Sequence, residues 1–418
     1  MDLVKARLSE NRMRLLYITA TLPFDDGEAF LIPEVDELQR LGCEVLIVPR
    51  NPSGNIVHRD ATALREHCEA MPLFSWKIFL AAAATCFMHP LRTIAAFCLL
   101  LRAPRPTTFL KNLAVFPKGL WLGRLARQRQ VDHIHAHWFS TPATMAMIAS
   151  RLSGIPWSCT AHRVDIALDN LLREKLARAT FVRFISASGA AMAESLGGCP
   201  AVDKTAVIHV GVEIPEGGVG PISAAGPLTI LCPANLYPVK GHSHLIRAMG
   251  QLRDRGVDCR LQLAGQGGTR PELERLTREL GLDRIVQFLG QVPHDEILAM
   301  YARRQINILV LPSLDLGNHL HEGIPVCLME AMAYGIPVVS TATGGIPELL
   351  TADAGVVVPP GDSAALADAI ERLAGDADLR QRFAQRGRRR VEEQFSVRAV
   401  VPVLLARIGA SERCNPSR

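Results

Sequence analysis

Short apolar runs alternate with helical stretches along almost the whole chain, and this alternation limits the fold more than any other feature. Runs of this kind, separated by helix-length segments, predict βα units with parallel strands. In the first half the predicted strands are Arg14–Ala20, Glu44–Arg50, His133–Trp138, Trp157–His162, Phe181–Ser188 and Ala206–Val212. In the second half they are Leu228–Ala234, Arg260–Gly265, Ile285–Gly290, Ile306–Pro312, Pro337–Thr343 and Gly355–Val358. Between the halves lies a stretch rich in Gly, Pro, Ser and Ala, Glu216–Gly226, which reads as a linker. At 418 residues the chain is too long for one typical core. The expectation is therefore an α/β protein of two doubly wound, Rossmann-like parallel-sheet domains facing each other across a cleft. The expected boundaries are 1–215, a linker at 216–226, and 227–395, with a C-terminal helix at about 396–418 packing back on the first domain. In such sheets ligands bind beyond the carboxyl ends of the strands.

Within the second half, Glu322 and Glu330 lie eight positions apart, separated by Gly-Ile-Pro and the start of an apolar helix. Proline suits the first turn of a helix, where its missing N–H has no partner to lose. A helix read from Pro325 puts Glu322 in the preceding loop and Glu330 on the helix. The amides of Val326 and Cys327 then point out of the helix N-terminus, where an anion is favoured. That arrangement suits a sugar, a ribose and the diphosphate between them; the plainer alternative is a capped helix with two solvated glutamates. Three further elements fall at predicted strand ends. Lys240, in Asn235-Leu-Tyr-Pro-Val-Lys240-Gly, can neutralise phosphate. Gly265 and Gly267, in Gly265-Gln-Gly-Gly268, allow close backbone approach. Gly344 and Gly345 lead into a helix with Pro347 in its first turn.

Lys240-Gly, Gly265-Gln-Gly, Leu311-Pro-Ser313, Glu322 with Glu330, and Gly344-Gly-Ile-Pro-Glu348 occur in that order. The ordered set resembles the retaining nucleotide-sugar glycosyltransferases of the large "group 1" family (family 4 type), which have the GT-B fold. In the first half, Pro23-Phe-Asp-Asp-Gly-Glu28-Ala-Phe30, a helix containing Glu34, Ile134-His-Ala-His137-Trp and Thr160-Ala-His162-Arg-Val-Asp165 resemble the branch that builds exopolysaccharide and colanic-acid-type repeats. The resemblance implies that Glu330 binds ribose hydroxyls and Glu322 the donor sugar. It implies that the amides of Ile324, Pro325's successor Val326, and Cys327 hold sugar and phosphate oxygens. Lys240 is expected to neutralise the departing diphosphate, and His162 to approach the donor sugar.

The chain also departs from the family pattern. Where the family carries an Arg five residues before the lysine, this chain has Asn235. Arg163, in a position where Gly is common, is a candidate replacement for that charge. The Gly-Gly of the first loop is absent from Thr19–Gly27, so Glu28 enters only as a further candidate. No carboxylate nucleophile for double displacement is evident. The expected chemistry is attack on the face the leaving group departs from, with retention, the diphosphate helping to take the acceptor's proton. No cofactor is expected, since the nucleotide sugar is a substrate. His133, His135 and His137 share one strand face, but the family resemblance implies no metal.

Charge placement bears on partners. Net charge is +5, yet Ala70–Val131 holds no Asp or Glu and nine basic residues, so the remainder is net acidic. Ser75–Leu101 is rich in Phe, Leu, Ile and Ala, and its longest uncharged run, Ile78–Leu91, is fourteen residues. A bilayer span needs about 20. The expectation is interfacial membrane contact through about 75–129, with a buried hairpin or true insertion as alternatives. The expected partners are a nucleotide-sugar donor and a lipid-linked oligosaccharide acceptor at the cytoplasmic face of the plasma membrane. The basic cluster Arg386–Arg390 lacks aromatic platforms, so no nucleic acid is expected. Ten scattered cysteines without Cys-x-x-Cys spacing fit free thiols in a reducing compartment, and the charged N-terminus does not read as a signal peptide. A nucleotide-sugar epimerase and a non-catalytic nucleotide-sugar-binding scaffold remain the alternative functions. A Rossmann dehydrogenase is disfavoured because no Gly-x-Gly-x-x-Gly opens a helix after a first strand.

Overall fold

The computed structural model describes residues 12–24, 27–52, 59–197, 202–218, 220, 227–351 and 353–413. Most of the N-terminal stretch, part of the Glu28 loop and most of the linker expected at 216–226 lie outside the described residues. The chain forms two compact units, Met1–Gly211 with Val397–Arg418, and Val212–Ser396.

Among the described residues the N-terminal unit holds a six-stranded sheet in the order β2-β1-β3-β4-β5-β6. Its strands are β1 Arg14–Thr19, β2 Glu44–Pro49, β3 His133–Ala136, β4 Trp157–Ala161, β5 Phe181–Phe184 and β6 Thr205–Val207. The C-terminal unit holds a second six-stranded sheet in the order β12-β11-β10-β7-β8-β9. Its strands are β7 Leu228–Pro233, β8 Cys259–Ala264, β9 Val286–Gly290, β10 Ile308–Leu311, β11 Val338–Thr341 and β12 Val356–Val358. All neighbouring strands pair in parallel. The α/β doubly wound fold class read from the sequence is therefore the observed one. All twelve predicted strands are present, trimmed by up to five residues where Pro, Gly or a polar residue leaves the ladder.

Parallel strands need helical crossovers, which cover both faces of each sheet. In the N-terminal unit one face of β1 sends Leu15 and Tyr17 towards the helices Ile32–Arg40 and Val397–Arg413. The other sends Leu16 and Ile18 into a core shared with the helices Pro106–Gln128 and Thr141–Ser153. Val400, Val401, Leu404 and Ile408 of the C-terminal helix are buried in the first of these cores.

Strand order reverses once in each sheet. The chain runs from β1 outward to β2, then returns to the far side of β1 as β3; likewise β7 leads to β8 and β9, and β10 returns beside β7. At such a switch point the flanking loops part at the carboxyl ends and leave a crevice. In the C-terminal unit glycine makes the close packing there achievable. Gly241 has φ +69°, and a Cβ on it would lie 1.9 Å from the Pro312 carbonyl oxygen.

The acid-free segment divides in two. Trp76–Met88 and Pro90–Leu100 meet at 114°, and among the described residues no single helix is long and apolar enough to cross a membrane, although this bent pair reaches the required length and composition. Phe74, Trp76, Phe87 and Leu91 are 70%, 67%, 89% and 81% exposed. The next helix, Pro106–Gln128, is largely interior: Lys118 is fully buried and donates to the carbonyls of Pro49, Arg50 and Met71. Burial pushes that lysine down to about 7. Arg102, Arg127 and Arg129 are likewise engaged by the protein's own carboxylates or carbonyls.

Gly256 has φ +75° with open space where a Cβ would go. Gly256→Ala is expected to cost about 1 kcal/mol of unfolding free energy. Gly241→Ala adds a collision with backbone and is expected to cost about 3 kcal/mol or more. Urea titration of the two variants checks the difference.

Candidate active site

In the C-terminal unit the crevice between β7 and β10 collects the charged residues singled out in the sequence. A short turn, Pro238–Lys240, follows β7, and Gly241 then opens the helix His242–Asp254. The Lys240 ammonium lies 2.8 Å from Glu322 Oε1, with both side chains partly exposed. Burial alone would lower the Lys240 pKa, but the Glu322 carboxylate outweighs it and raises it, so the cation persists at neutral pH.

Glu322 sits in a loop whose backbone is gripped from below. His321 Nδ1 lies 2.8 Å from the Glu322 carbonyl oxygen, and Gly345 N–H donates to the Gly323 carbonyl. A Cβ on Gly344 would fall 1.8 Å from the Glu322 carbonyl oxygen, and one on Gly345 would fall 2.7 Å from Ile324. These two glycines thus shape the loop that carries Glu322. The helix they lead into, Ile346–Leu349, is a single turn, too short to seat an anion at its N-terminus. Gly265 and Gly267 act similarly: Cβ atoms there would meet the carbonyl oxygens of Ala234 and Leu236 at 2.1 and 2.3 Å. The exposed Asn235 is held in that crossing of loops.

Pro325 is the N-cap of the helix Val326–Ala333, one position earlier than a first-turn proline. Leu328, Met329, Ala331 and Met332 bury the helix, leaving Glu330 half-buried on its other side. Glu330 Oε1 is 2.7 Å from His294 Nε2. His294 begins the helix His294–Ala302 and carries no sequence signal that separates it from an ordinary surface histidine. Burial pushes the Cys327 thiol up to about 12, so it stays protonated.

In the N-terminal unit the crevice between β1 and β3 holds the second group. Glu28 is buried, and its carboxylate accepts from the backbone N–H groups of Ala20, Thr21 and Leu22 and from the Trp138 indole. Trp138 stacks on His162 with ring centroids 4.4 Å apart. His162 is the N-cap of the short helix Arg163–Ala167, at the carboxyl end of β4. Arg163 follows it, half-buried. Beneath them His162 Nε2 is 3.0 Å from His137 Nε2, and His137 Nδ1 is 2.7 Å from the Tyr17 hydroxyl. Tyr17 donates to Glu34 at 2.6 Å, and Arg183 donates to the other Glu34 oxygen at 2.7 Å. Burial alone would raise the Glu34 carboxyl. Arg183, with the hydrogen bond from Tyr17, holds it well below the usual carboxylate range.

The two histidines of β3 and His137 just after it do not converge on one point. His135 engages Ser158 at 2.8 Å and Thr160 at 3.0 Å; His133 engages Ser158 at 2.8 Å. Among the described residues no group of three His, Cys, Asp or Glu side chains could hold a metal ion. The structure thus brings Lys240 to Glu322, and Glu28 to His162 through Trp138. Sequence reasoning missed His294, Tyr17 and Arg183. Arg183 did carry a signal: a guanidinium inside the apolar strand Phe181-Val-Arg-Phe184 demands a buried carboxylate.

Comparison with known proteins follows the same division. Residues 34–215 match the model of Glycosyltransferase Family 4, and residues 222–390 match that of Glycosyl transferases group 1. WcaL of Escherichia coli K12, named for colanic acid biosynthesis as a glycosyltransferase, is 38% identical over 206 residues, 49% of this chain and 50% of WcaL. The amylovoran biosynthesis glycosyltransferase AmsK of Erwinia amylovora is 37% identical over 185 residues, 44% of this chain and 45% of AmsK. The chain thus spans about half the length of these curated relatives. The crystal structure of Anabaena HepE in complex with UDP superposes with a TM-score of 0.69, covering 95% of this chain and all of HepE at 19% identity. That likeness gives the GT-B fold.

Burial pushes His242 down to about 4, and the neighbouring Lys240 cation adds to the effect. Between pH 6.5 and 4 the unfolded chain binds a proton at this position that the folded chain refuses. Stability therefore falls as pH falls through that window, by about 1.4 kcal/mol per unit at most for one such group. Urea unfolding at pH 7 and pH 5 is expected to show a smaller loss on acidification for His242→Gln than for the parent chain.

Proposed function

The chain belongs to the group 1 glycosyltransferases, and from that membership we propose that it transfers a hexose, with retention of anomeric configuration, from a nucleoside diphosphate sugar to a lipid-linked oligosaccharide in cell-surface polysaccharide synthesis. The observation that carries this reading is the crevice beside β7 and β10. It holds a cation, Lys240, paired with one glutamate, and a second glutamate, Glu330, on the helix that starts at Val326.

Glu330, a carboxylate acceptor, suits the two adjacent hydroxyls of a ribose. Lys240 and the first amides of the Glu330 helix suit the diphosphate, whose charge grows as the sugar–phosphate bond breaks. Glu322 then accepts from donor-sugar hydroxyls while holding the Lys240 ammonium in place. With Asn235 where the family carries Arg, more of the phosphate charge falls to Lys240. HepE binds UDP within the same fold, which supports a UDP sugar; a GDP sugar would use the same ribose and phosphate contacts. The acceptor hydroxyl attacks the anomeric carbon as the diphosphate leaves, on the same face, and its proton passes to the departing phosphate. The assignment of His162 to the sugar and of Arg163 to supplementary charge rests on the family resemblance.

Calorimetric titration with UDP and GDP tests the site. One nucleotide is expected to bind, with Glu330→Ala weakening it at least tenfold, about 1.4 kcal/mol or more. Absence of binding to either, by folded protein, overturns the assignment. NMR of the transferred product is expected to show the donor's anomeric configuration; an inverted product sinks the retaining chemistry.

The exposed apolar hairpin 74–101, with Lys77, Arg105 and Lys111 exposed around it, fits a peripheral membrane contact that presents the enzyme to a lipid-linked acceptor. Vesicles containing phosphatidylglycerol are expected to sediment the protein, and neutral vesicles much less. A Trp76→Ser, Phe87→Ser, Leu91→Ser variant is expected to stay in the supernatant with its nucleotide affinity intact.

A further inference from the structure

The N-terminal unit contains a continuous hydrogen-bonded chain from a buried ion pair to the histidine at the carboxyl end of β4. Its direction follows from donor and acceptor counting for a neutral His137, whose Nδ1 also lies 3.7 Å from Glu34 Oε1. Glu34 is an ionised carboxylate and can only accept. Its Oε2 accepts a hydrogen bond from Arg183 Nη1, while Arg183 Nε donates to the Ile208 carbonyl at 2.8 Å and Nη2 to the His209 carbonyl. Glu34 Oε1 lies 2.6 Å from the Tyr17 oxygen. Two oxygens that close need a proton between them, and Tyr17 supplies its only one. The Tyr17 oxygen can then only accept from His137 Nδ1, 2.7 Å away. A neutral His137 protonated at Nδ1 is bare at Nε2, so the 3.0 Å contact with His162 requires His162 to donate from Nε2. His162 is then bare at Nδ1.

We propose that Glu34, Tyr17 and His137 act as positioning residues that hold His162 in its Nε2–H tautomer, so that Nδ1 is left bare as a hydrogen-bond acceptor for a sugar hydroxyl at the carboxyl end of β4. The naming of the sugar rests on the proposed function; the tautomer does not. Packing supports a single ring orientation. Trp138 stacks on His162 at 4.4 Å, and the Phe30 ring stands edge-on to both His137 and His162, at 5.8 and 6.0 Å. Trp138 is itself tied to Glu28 through its indole N–H. Tyr17 and His137 are buried, so water has no access with which to reverse the chain, and burial keeps His162 well below the usual imidazole range. An acceptor at this point distinguishes a sugar hydroxyl from a fluorine in its place, because fluorine has no proton to give.

The test is long-range proton–nitrogen NMR of the full chain labelled with 15N-histidine, with His162→Gln identifying the His162 signals by their loss. The expected spectrum has His162 Nδ1 in the unprotonated range and Nε2 in the protonated range. Tyr17→Phe, which keeps the ring and its volume, is expected to release His137 and give His162 signals averaged between tautomers. It is also expected to lower kcat/KM about tenfold, the order of one lost hydrogen bond, with nucleotide affinity unchanged. A protonated Nδ1 in the parent chain overturns the proposal, as does an unaltered tautomer in a folded Tyr17→Phe protein. If Tyr17→Phe does not fold, the parent spectrum alone decides. The expected tautomer in a protein that turns over no nucleotide sugar would leave the relay standing and remove the proposed function instead.

Discussion

Everything at the two crevices depends on the reversal of strand order. A right-handed crossover sends successive helices to one face until the chain reverses, after which they cover the other. Between β1 and β3, and between β7 and β10, the flanking loops therefore diverge above the carboxyl ends. Backbone has to pass very close to backbone for those loops to turn back on themselves. Gly241 against Pro312, Gly265 against Ala234 and Gly344 against Glu322 are the places where a side chain would be excluded. The glycines that look like ligand-binding signatures in the sequence thus do a prior job, which is to let the charged loops take their positions.

The N-terminal unit relies on a second constraint, the cost of burying charge. Glu34 and Arg183 are fully enclosed, and a carboxylate in such surroundings persists only when every lone pair is met. Arg183 satisfies one oxygen and two loop carbonyls; Tyr17 satisfies the other oxygen. Truncating either charge would strand the other, at a cost of about 3–5 kcal/mol. The same face of the sheet carries His135, Ser158 and Thr160 in adjacent register, so polar groups form a layer where β1's neighbours would otherwise be apolar. That layer is rigid because it is saturated.

Much of this was legible in the sequence, and the reason is physical. Parallel strands covered on both faces read as unbroken apolar runs, so β7, β10 and β11 announce themselves. Pro325 and the glycines mark where chain direction must change, which placed Glu322 in a loop and Glu330 on a helix. What sequence leaves hidden is pairing across distance. Glu34 and Arg183 are 149 positions apart. His294 meets Glu330 only because β9's exit brings its helix beside theirs. Lys118 sits in a stretch that looks uniformly basic and turns out to be an interior donor to three carbonyls. A charged residue states that it needs a partner; the fold decides which.

The pairing of Lys240 with Glu322 shows why a site can be both stable and ready. At 2.8 Å, partly screened by solvent, the pair contributes little net stability, since the attraction is largely offset by desolvation and side-chain ordering. Its value lies in geometry. The ammonium is held at the crevice as a cation, and the Glu322 loop is held by Gly344 and Gly345 from below. On the proposed function, an arriving dianion would meet positive charge whose orientation has already been set, while the carboxylate would keep hydrogen-bonding capacity for neutral hydroxyls. A weak, half-exposed ion pair is for that reason better suited to a reacting phosphate than a fully buried one, which would resist the exchange of partners that catalysis requires.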